Sequence, residues 1–190
     1  MTTIGYESLL SQSDYLKVEE AASNKNEYVA GRMFAMTGAT AAHNILTMNL
    51  YSHLAPFVRQ SGCNIFALDF KLRVSSLRSF YYPDLLVTCE KVEPSAVYVE
   101  TPVLVVEVLS PSTVSVDRRE KLQAYRAIPS LAEYVLVHQE MPLVEIYRKD
   151  SEDDWALYEF GAGEQLCLSV TSKKLCVAVD DVYLGIDFAE

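Results

Sequence analysis

The sequence predicts an α/β domain built around a mixed β-sheet. Apolar residues recur at helical spacing over His43–Val58, which indicates an amphipathic helix. Three strand-like runs follow it, and a second helical stretch over 114–127 leads to another strand. The four predicted strands are Ile65–Val74, Asp84–Cys89, Pro102–Leu109 and Tyr134–His138. This alternation of helices and strands is typical of α/β domains. Pro102–Leu109 is apolar on both faces, so we expect it at the centre of the sheet.

Shorter elements are predicted on either side of this core. Residues 14–22 read as a helix capped by Ser13 or Asp14. Glu27–Met36 reads as a hairpin that turns near Gly31. The sequence SPST at 110–113 is a candidate cap for the second core helix, which Pro129 would end. Leu143–Tyr147 is a further strand, and 155–187 reads as short strands and turns.

Length and composition favour one cytoplasmic domain. The chain has 190 residues, half of them hydrophobic, which fits a single domain over 1–190 with its core at roughly 40–140. No apolar run reaches the roughly 18 residues of a membrane span, and no signal peptide is evident. The four cysteines are scattered without a CxxC pair, so we expect reduced thiols and no zinc site.

The net charge of −10 argues against a broad, non-specific nucleic-acid surface, which normally requires a basic face. It leaves room for a small basic cleft or for a site that uses a divalent cation. Basic residues do gather locally, in two groups: Lys71, Arg73 and Arg78, then Arg118, Arg119, Lys121 and Arg126.

Two acids in apolar strands are the main functional signal. Glu107 interrupts the run VLVVEVL, and Asp84 follows Pro83 at the start of LLVTC. A buried carboxylate must be protonated, paired with a cation or bound to a metal. Asp84 and Glu107 could meet across neighbouring strands, and their hard oxygen ligands suit Mg²⁺ or Mn²⁺. Alternatively, Pro83-Asp84 is an ordinary turn-to-strand junction, and Glu107 ends in a salt bridge.

Lys121 has two interpretations of the same kind. It follows Asp117 by four residues, which fits an exposed ion pair on a helix. It could instead turn toward Glu107 and stabilise charge on a water or a phosphate. Tyr81 and Tyr82 could stack on a base, although packing at the strand edge is the simpler interpretation. His53 and His138 show no partner pattern.

These motifs, in this order, resemble the Uma-two family of endonuclease-like proteins. The set comprises PD, the strand with EVLSPST, D-x-x-x-K from Asp117 to Lys121, Tyr125, and EYVLV at 133–137. The early hairpin, His43, VEIYR at 144–148 and the closing VAVDDVYLG also match, so the resemblance covers roughly 13–185. The family belongs to the restriction-endonuclease-like PD-(D/E)XK superfamily. The resemblance implies its core of helix, three strands, helix and strand, with extra N- and C-terminal strands.

The resemblance also implies a Mg²⁺ or Mn²⁺ site on Asp84 and Glu107, with the Val108 carbonyl as an extra ligand. The superfamily lysine two residues after the acid is replaced here by Leu109. The resemblance implies that Lys121, on the following helix, takes this catalytic role, with Asp117 nearby. Glu27 and His43 would be groups around the metal or hydrogen-bonded structural residues.

The implied activity is metal-assisted hydrolysis of phosphodiester bonds in nucleic acid, with DNA the expected substrate. A homodimer would join two weakly basic clefts into one groove. Two alternatives stay open at this point. One is a module of the same fold that cuts little and binds a protein or nucleic acid. The other is a hydrolase that uses the same acids on a different phosphate ester.

Overall fold

A computed structural model describes residues 2–4, 9–36, 38–111 and 114–188. The helices in these ranges are α1 (Gln12–Ala21), α2 (Ala41–Gln60), α3 (Val114–Val116), α4 (Leu122–Arg126) and α5 (Val179–Val182). A π-helical turn (Asp117–Lys121) joins α3 to α4 without a break. The strands are β1 (Thr2–Ile4), β2 (Asn26–Val29), β3 (Arg32–Ala35), β4 (Asn64–Ala67), β5 (Lys71–Val74), β6 (Ser79–Tyr81), β7 (Leu85–Thr88), β8 (Tyr98–Val99), β9 (Pro102–Leu109), β10 (Glu133–His138), β11 (Leu143–Lys149), β12 (Trp155–Gly161), β13 (Gln165–Val170) and β14 (Lys173–Ala178).

Six strands form a central mixed sheet in the order β12–β11–β10–β9–β7–β4. β9 and β10 are parallel, and every other neighbouring pair is antiparallel. β9 lies between β7 and β10 and is buried along almost its whole length. Its apolar sequence predicted this central place, which is confirmed together with the mixed α/β class.

The two faces of the central sheet pack against different partners. On one face, Val106 and Val108 of β9 join a core with Leu46 and Leu50 of α2, together with residues of β13, β14 and α5. On the other face, residues of β9 and β10 pack against α4 and against β5 and β6. Glu107 alternates with the valines of the first core, so its side chain points to the second face.

A second six-stranded sheet, in the order β1–β3–β2–β6–β5–β8, packs beside this second face. The single strand predicted over Ile65–Val74 is wrong, because that stretch is divided between the two sheets. β4 ends at Ala67, Leu68 takes a positive φ of 61°, and β5 begins at Lys71 in the other sheet. The backbone N–H of Leu68 donates to the carbonyl of Asp84 at 3.1 Å, which fixes the turn beside β7.

The early hairpin is confirmed as β2–β3, with Ala30 and Gly31 both at positive φ in the turn. The preceding helix begins earlier than predicted. Ser11 is the cap of α1, because its hydroxyl accepts the backbone N–H of Asp14 at 3.1 Å. The proposed Ser13 or Asp14 cap is therefore wrong, since both residues lie inside the first turn.

The second core helix spans α3, the π turn and α4, and it ends at Arg126 before Pro129 as expected. Of its predicted SPST cap, Ser112 and Thr113 lie outside the described residues. The C-terminal stretch forms β12 and the hairpin β13–β14, as short strands were predicted there. It also forms the short helix α5, which the sequence did not indicate. In the part of the chain that the structure describes, no helix is both long and apolar enough to span a membrane.

The expectation of reduced thiols is wrong in this structure, which contains two disulfides. Cys63 and Cys89 lie just beyond the paired residues Asn64 and Thr88, at one end of the β4–β7 ladder. Cys167 and Cys176 face each other directly in the β13–β14 hairpin. Antiparallel pairing brings such residues within bonding distance. The pairs are 26 and 9 residues apart, so spacing alone did not reveal them.

Removing each disulfide should destabilise the fold according to the loop it closes. Chain entropy predicts a loss of about 3.5 kcal/mol for Cys63→Ser with Cys89→Ser, against about 2.5 kcal/mol for Cys167→Ser with Cys176→Ser. Urea unfolding of the two double variants would measure both losses. Four reactive thiols in the unfolded, unreduced wild type would contradict the disulfides themselves.

Candidate active site

The carboxylate of Glu107 is buried, with the residue 4 % exposed, and it is paired with a cation. Its Oε1 accepts hydrogen bonds from the Lys121 ammonium at 3.0 Å and from the Tyr125 hydroxyl at 2.8 Å. Both donors come from the helical segment that packs on the second face of the sheet. An isolated ionised carboxylate would be costly to bury in this position, and the two donors reduce that cost.

Lys121 binds two further carboxylates through the same ammonium group. Its Nζ lies 3.1 Å from Glu27 Oε1 and 3.3 Å from Asp117 Oδ1. All four residues are buried, so the expectation of an exposed Asp117–Lys121 pair is wrong. The lysine does turn toward Glu107, and it joins β2, β9 and the π turn at one point.

The π turn places Asp117, Lys121 and Tyr125 on the same inward side of the helical segment, at intervals of four residues. π turns of this kind are rare and are frequently found at functional sites. The Tyr134 hydroxyl donates to the backbone carbonyl of Asp117 at 3.1 Å. The same carbonyl accepts the backbone N–H of Leu122, so the bond from β10 adds a second donor and holds the start of the turn against the sheet.

Asp84 lies beside Glu107, where β7 and β9 begin to separate. The last pair of the ladder joins Leu85 to Val106, which puts Asp84 level with Glu107. Asp84 Oδ2 accepts the backbone N–H of Val108 at 2.7 Å and lies 3.2 Å from His43 Nε2. The side chain of Asp84 therefore satisfies a donor that the neighbouring strand no longer pairs.

Glu27 reaches the site from the second sheet and is completely buried. Its Oε1 accepts the backbone N–H of Tyr82 at 3.2 Å in addition to Lys121. Its Oε2 is buried and has no hydrogen-bond partner among the described residues. The residues predicted from the sequence thus converge around Lys121 and Asp84: Glu27, His43, Asp84, Glu107, Val108, Asp117 and Lys121.

The site has more acids than cations. Burial raises the pKa of Glu107 well above its usual 4.5. The charges of Asp117, Asp84 and Glu27 raise this pKa further, and Lys121 lowers it but only partly compensates. Burial also raises the pKa of Glu27. Burial alone would lower the pKa of Lys121, but the surrounding carboxylates outweigh it and hold that pKa well above the usual 10.5. The ammonium stays charged, and the acids compete for it.

The pKa of His43 depends on burial and on Asp84. Burial lowers the pKa of His43, but the hydrogen bond and the charge of Asp84 outweigh this effect and raise it overall. The ring lies in the first turn of α2, whose cap is Thr40. Its Nδ1 is buried without a hydrogen-bond partner in the described part of the chain.

Several contacts around the site were not predicted from single residues. Tyr125 was part of the motif, but its bond to Glu107 gave no separate sequence signal. Tyr82 is buried and donates its hydroxyl to Glu19 Oε1 at 2.9 Å, so it packs and does not stack on a base. His138, which showed no partner pattern, ends β10 beside Glu145 and Arg118.

Comparison with known proteins gives the family. The model of the Uma2 family, described as "Putative restriction endonuclease", matches residues 12–179, which include every residue of this site. The chain belongs to the Uma2 family. The resemblance seen in the sequence motifs is confirmed.

Relatives of similar length match most of the chain. The Synechocystis sp. protein slr1290 is 33% identical over 180 residues, which is 94% of this chain and 94% of that protein. The Synechocystis sp. protein sll1609 is 35% identical over 162 residues, covering 84% of this chain and 92% of that protein. A crystal structure from Anabaena variabilis, described as a "putative nuclease belonging to DUF820", matches with a TM-score of 0.72. It covers 92% of this Uma2 chain and 97% of its own at 17% identity, so it shows a shared fold.

Replacing Glu107 with Gln should stabilise the metal-free protein as pH rises. Because the folded state raises the pKa of Glu107, it binds that proton more tightly than the unfolded chain does. The resulting penalty is absent below the usual pKa of 4.5 and grows above it. Glu107→Gln removes the penalty, by about 1.4 kcal/mol for each unit of pKa shift.

Thermal melts in EDTA across this pH range would measure the effect. Glu107→Gln should match wild type at low pH and melt at a higher temperature near neutrality. Glu152→Gln, at an exposed acid, is the matched control. A melting difference that does not change with pH would contradict the excess of buried negative charge.

Replacing Lys121 with Met should strongly destabilise the protein, because Glu27, Glu107 and Asp117 would then share a buried site without their cation. We expect a loss of about 3–5 kcal/mol near neutral pH and a smaller loss at low pH, where Glu27 and Glu107, whose pKa values are raised, hold protons. Denaturant unfolding would measure it, with exposed Lys174→Met as control. Equal losses for the two variants would contradict the central place of Lys121.

Proposed function

We propose that this Uma2 protein is an endonuclease that hydrolyses DNA phosphodiester bonds and depends on Mg²⁺ or Mn²⁺. The observation that supports this proposal best is the position of Lys121. Its buried ammonium bonds Glu107 beside Asp84, in a chain whose family is described as "Putative restriction endonuclease". A lysine next to two strand-borne acids can stabilise charge on a water or a phosphate.

The donor set is compatible with a hard divalent cation. The candidate ligands are the carboxylates of Asp84 and Glu107 and the Val108 carbonyl, and the acids around them exceed the cations. Among the described residues, no three His, Cys, Asp or Glu side chains form a metal-binding group. Mg²⁺ commonly uses one or two carboxylates and completes its shell with water and substrate phosphate. Two carboxylates therefore suffice for an ion that arrives with its substrate.

When bound, such an ion would supply a Lewis acid that lowers the pKa of a water and polarises the phosphate. The protein's residues would do the rest. Lys121 would steady the nucleophile or the charge that develops on the phosphate. Tyr125 and Lys121 hold Glu107 Oε1, while the Val108 N–H and His43 hold Asp84 Oδ2. Glu27 and Asp117 would position the ammonium of Lys121.

The choice of DNA, the homodimer and the cytoplasmic location are parts of this proposal that need separate tests. A dimer would place two sites in one groove and join their two weakly basic clefts. Light scattering of the purified protein would give its mass in solution. Cell fractionation would give its location, which matters because the two disulfides need an oxidising environment or protection from reductants.

Plasmid and single-stranded DNA should be cut with Mg²⁺ or Mn²⁺ present, and not in EDTA. Asp84→Asn, Glu107→Gln and Lys121→Met should each lower the rate by about 10²-fold or more, because each removes a group beside the reacting phosphate. Gel electrophoresis with a concentration series of enzyme would measure the rates. Arg59→Gln is the control, because Arg59 lies at the far end of α2 from His43.

If no DNA is cut, calorimetry with Mn²⁺ would show whether the metal site itself is present. Mn²⁺ binding that is lost in Asp84→Asn, without DNA cleavage, would keep the site and leave its substrate open, as for another phosphate ester. If the protein neither binds Mn²⁺ nor cleaves DNA, the nuclease proposal is overturned in favour of a binding module that retains the fold.

A further inference from the structure

A second charged cluster lies next to the candidate active site and has no part in the proposed reaction. It consists of Arg118 in the π turn, His138 at the end of β10 and Glu145 on β11. Arg118 Nη2 bonds Glu145 Oε1 and lies 3.0 Å from His138 Nε2. His138 Nε2 lies 2.9 Å from the same oxygen of Glu145. We call these three residues the Arg118 cluster.

The cluster anchors the arginine through one nitrogen and leaves its side chain partly exposed. The side chain of Glu145 is 2 % exposed, and its Oε2 is buried without a hydrogen-bond partner in the described residues. The side chain of Arg118 is 34 % exposed. Within the described ranges, its bonds to Glu145 and His138 both use Nη2. A guanidinium has five N–H donors, so these two bonds leave the donors of Nε and Nη1 unused on an anchored and partly exposed group.

Strand geometry puts His138 of the cluster close to Glu107 of the site. In the parallel β9–β10 ladder, Leu136 pairs with Glu107 and His138 with Leu109, so His138 and Glu107 point to the same face. Two residues along a strand and one strand across give a separation of roughly 8 Å between their Cα atoms. Arg118 also precedes Lys121 by three residues on the same turn. Neighbouring phosphates of one nucleic-acid strand are separated by a similar distance.

We propose that Arg118 binds the phosphodiester next to the one that is cut, and that Glu145 and His138 hold its guanidinium ready for that contact. An arginine fork matches two phosphate oxygens, and an arginine that is already anchored loses less conformational freedom on binding. The inference rests on the proposed nuclease function. It offers a way for an acidic chain to hold nucleic acid, through one positioned contact in place of a broad basic surface.

The neighbouring Arg119 makes the test specific. It is exposed and has no carboxylate within ion-pair distance among the described residues. Both residues carry the same charge and are adjacent in the chain. General electrostatic attraction would make them equivalent, whereas the proposal makes only Arg118 important.

The experiment measures binding of a short fluorescein-labelled DNA by anisotropy in EDTA, over a series of salt concentrations. Arg118→Gln should weaken binding about 10-fold and lower the slope of log affinity against log salt by about one. Arg119→Gln should change affinity by less than about 2-fold. With Mn²⁺, Arg118→Gln should raise KM for cleavage and leave kcat within about 3-fold, because the contact lies away from the reacting phosphate.

Two further variants keep the test decisive. Arg118→Lys preserves the charge but not the fork, and should lose part of the affinity; it carries the test if Arg118→Gln does not fold. Glu145→Leu removes a negative charge, which simple attraction predicts will tighten binding. The proposal expects weaker binding, because the guanidinium loses its anchor.

The outcomes separate this inference from the nuclease proposal. If wild type cuts DNA but Arg118→Gln and Arg119→Gln behave alike, or Glu145→Leu binds more tightly, the inference is overturned and the nuclease stands. If wild type neither binds nor cuts DNA, both are overturned.

Discussion

The buried ammonium of Lys121 is the interaction on which the rest of the site depends. Glu27, Glu107 and Asp117 come from the second sheet, the central sheet and the π turn, and each would repel the others without a cation among them. Their attraction to Lys121 offsets part of the cost of removing four charged groups from water. The architecture around the site is therefore held by one charged atom as well as by apolar packing.

Asp84 shows how a single side chain can serve both the sheet and the site. β7 and β9 separate beyond the pair Leu85–Val106, which leaves the N–H of Val108 without a strand partner. Asp84 accepts that N–H, so its carboxylate is fixed by the backbone of the strand that carries Glu107. A large movement of one acid relative to the other would break this part-buried hydrogen bond from the Val108 backbone to Asp84.

The sequence could predict what depends on local pattern. β9 was recognisable because it is apolar on both faces, and Glu107 because it interrupts that pattern. Partners distant in the chain were not recognisable. The break at Leu68 depends on a bond to Asp84, the disulfide of Cys63 depends on the β4–β7 register, and the contacts of His138 depend on Glu145 across a hairpin. Each needs the paired strand to exist before its partner can be identified.

The helical segment at Asp117–Lys121 also has a consequence for insertions and deletions. A π turn accommodates one more residue than an α turn would over the same length. Deleting one residue there would restore ordinary helix without rotating α4, because the π turn already absorbs the extra residue. A deletion on either side of the π turn is not absorbed, and it would rotate everything after it by about 100° relative to everything before it. In that case the apolar face of α4 would have to turn away from the sheet, or Asp117 would have to leave Lys121. The length of this short segment, and not only its composition, is thus under constraint, and a chain of this family could lose its site through a change in length alone.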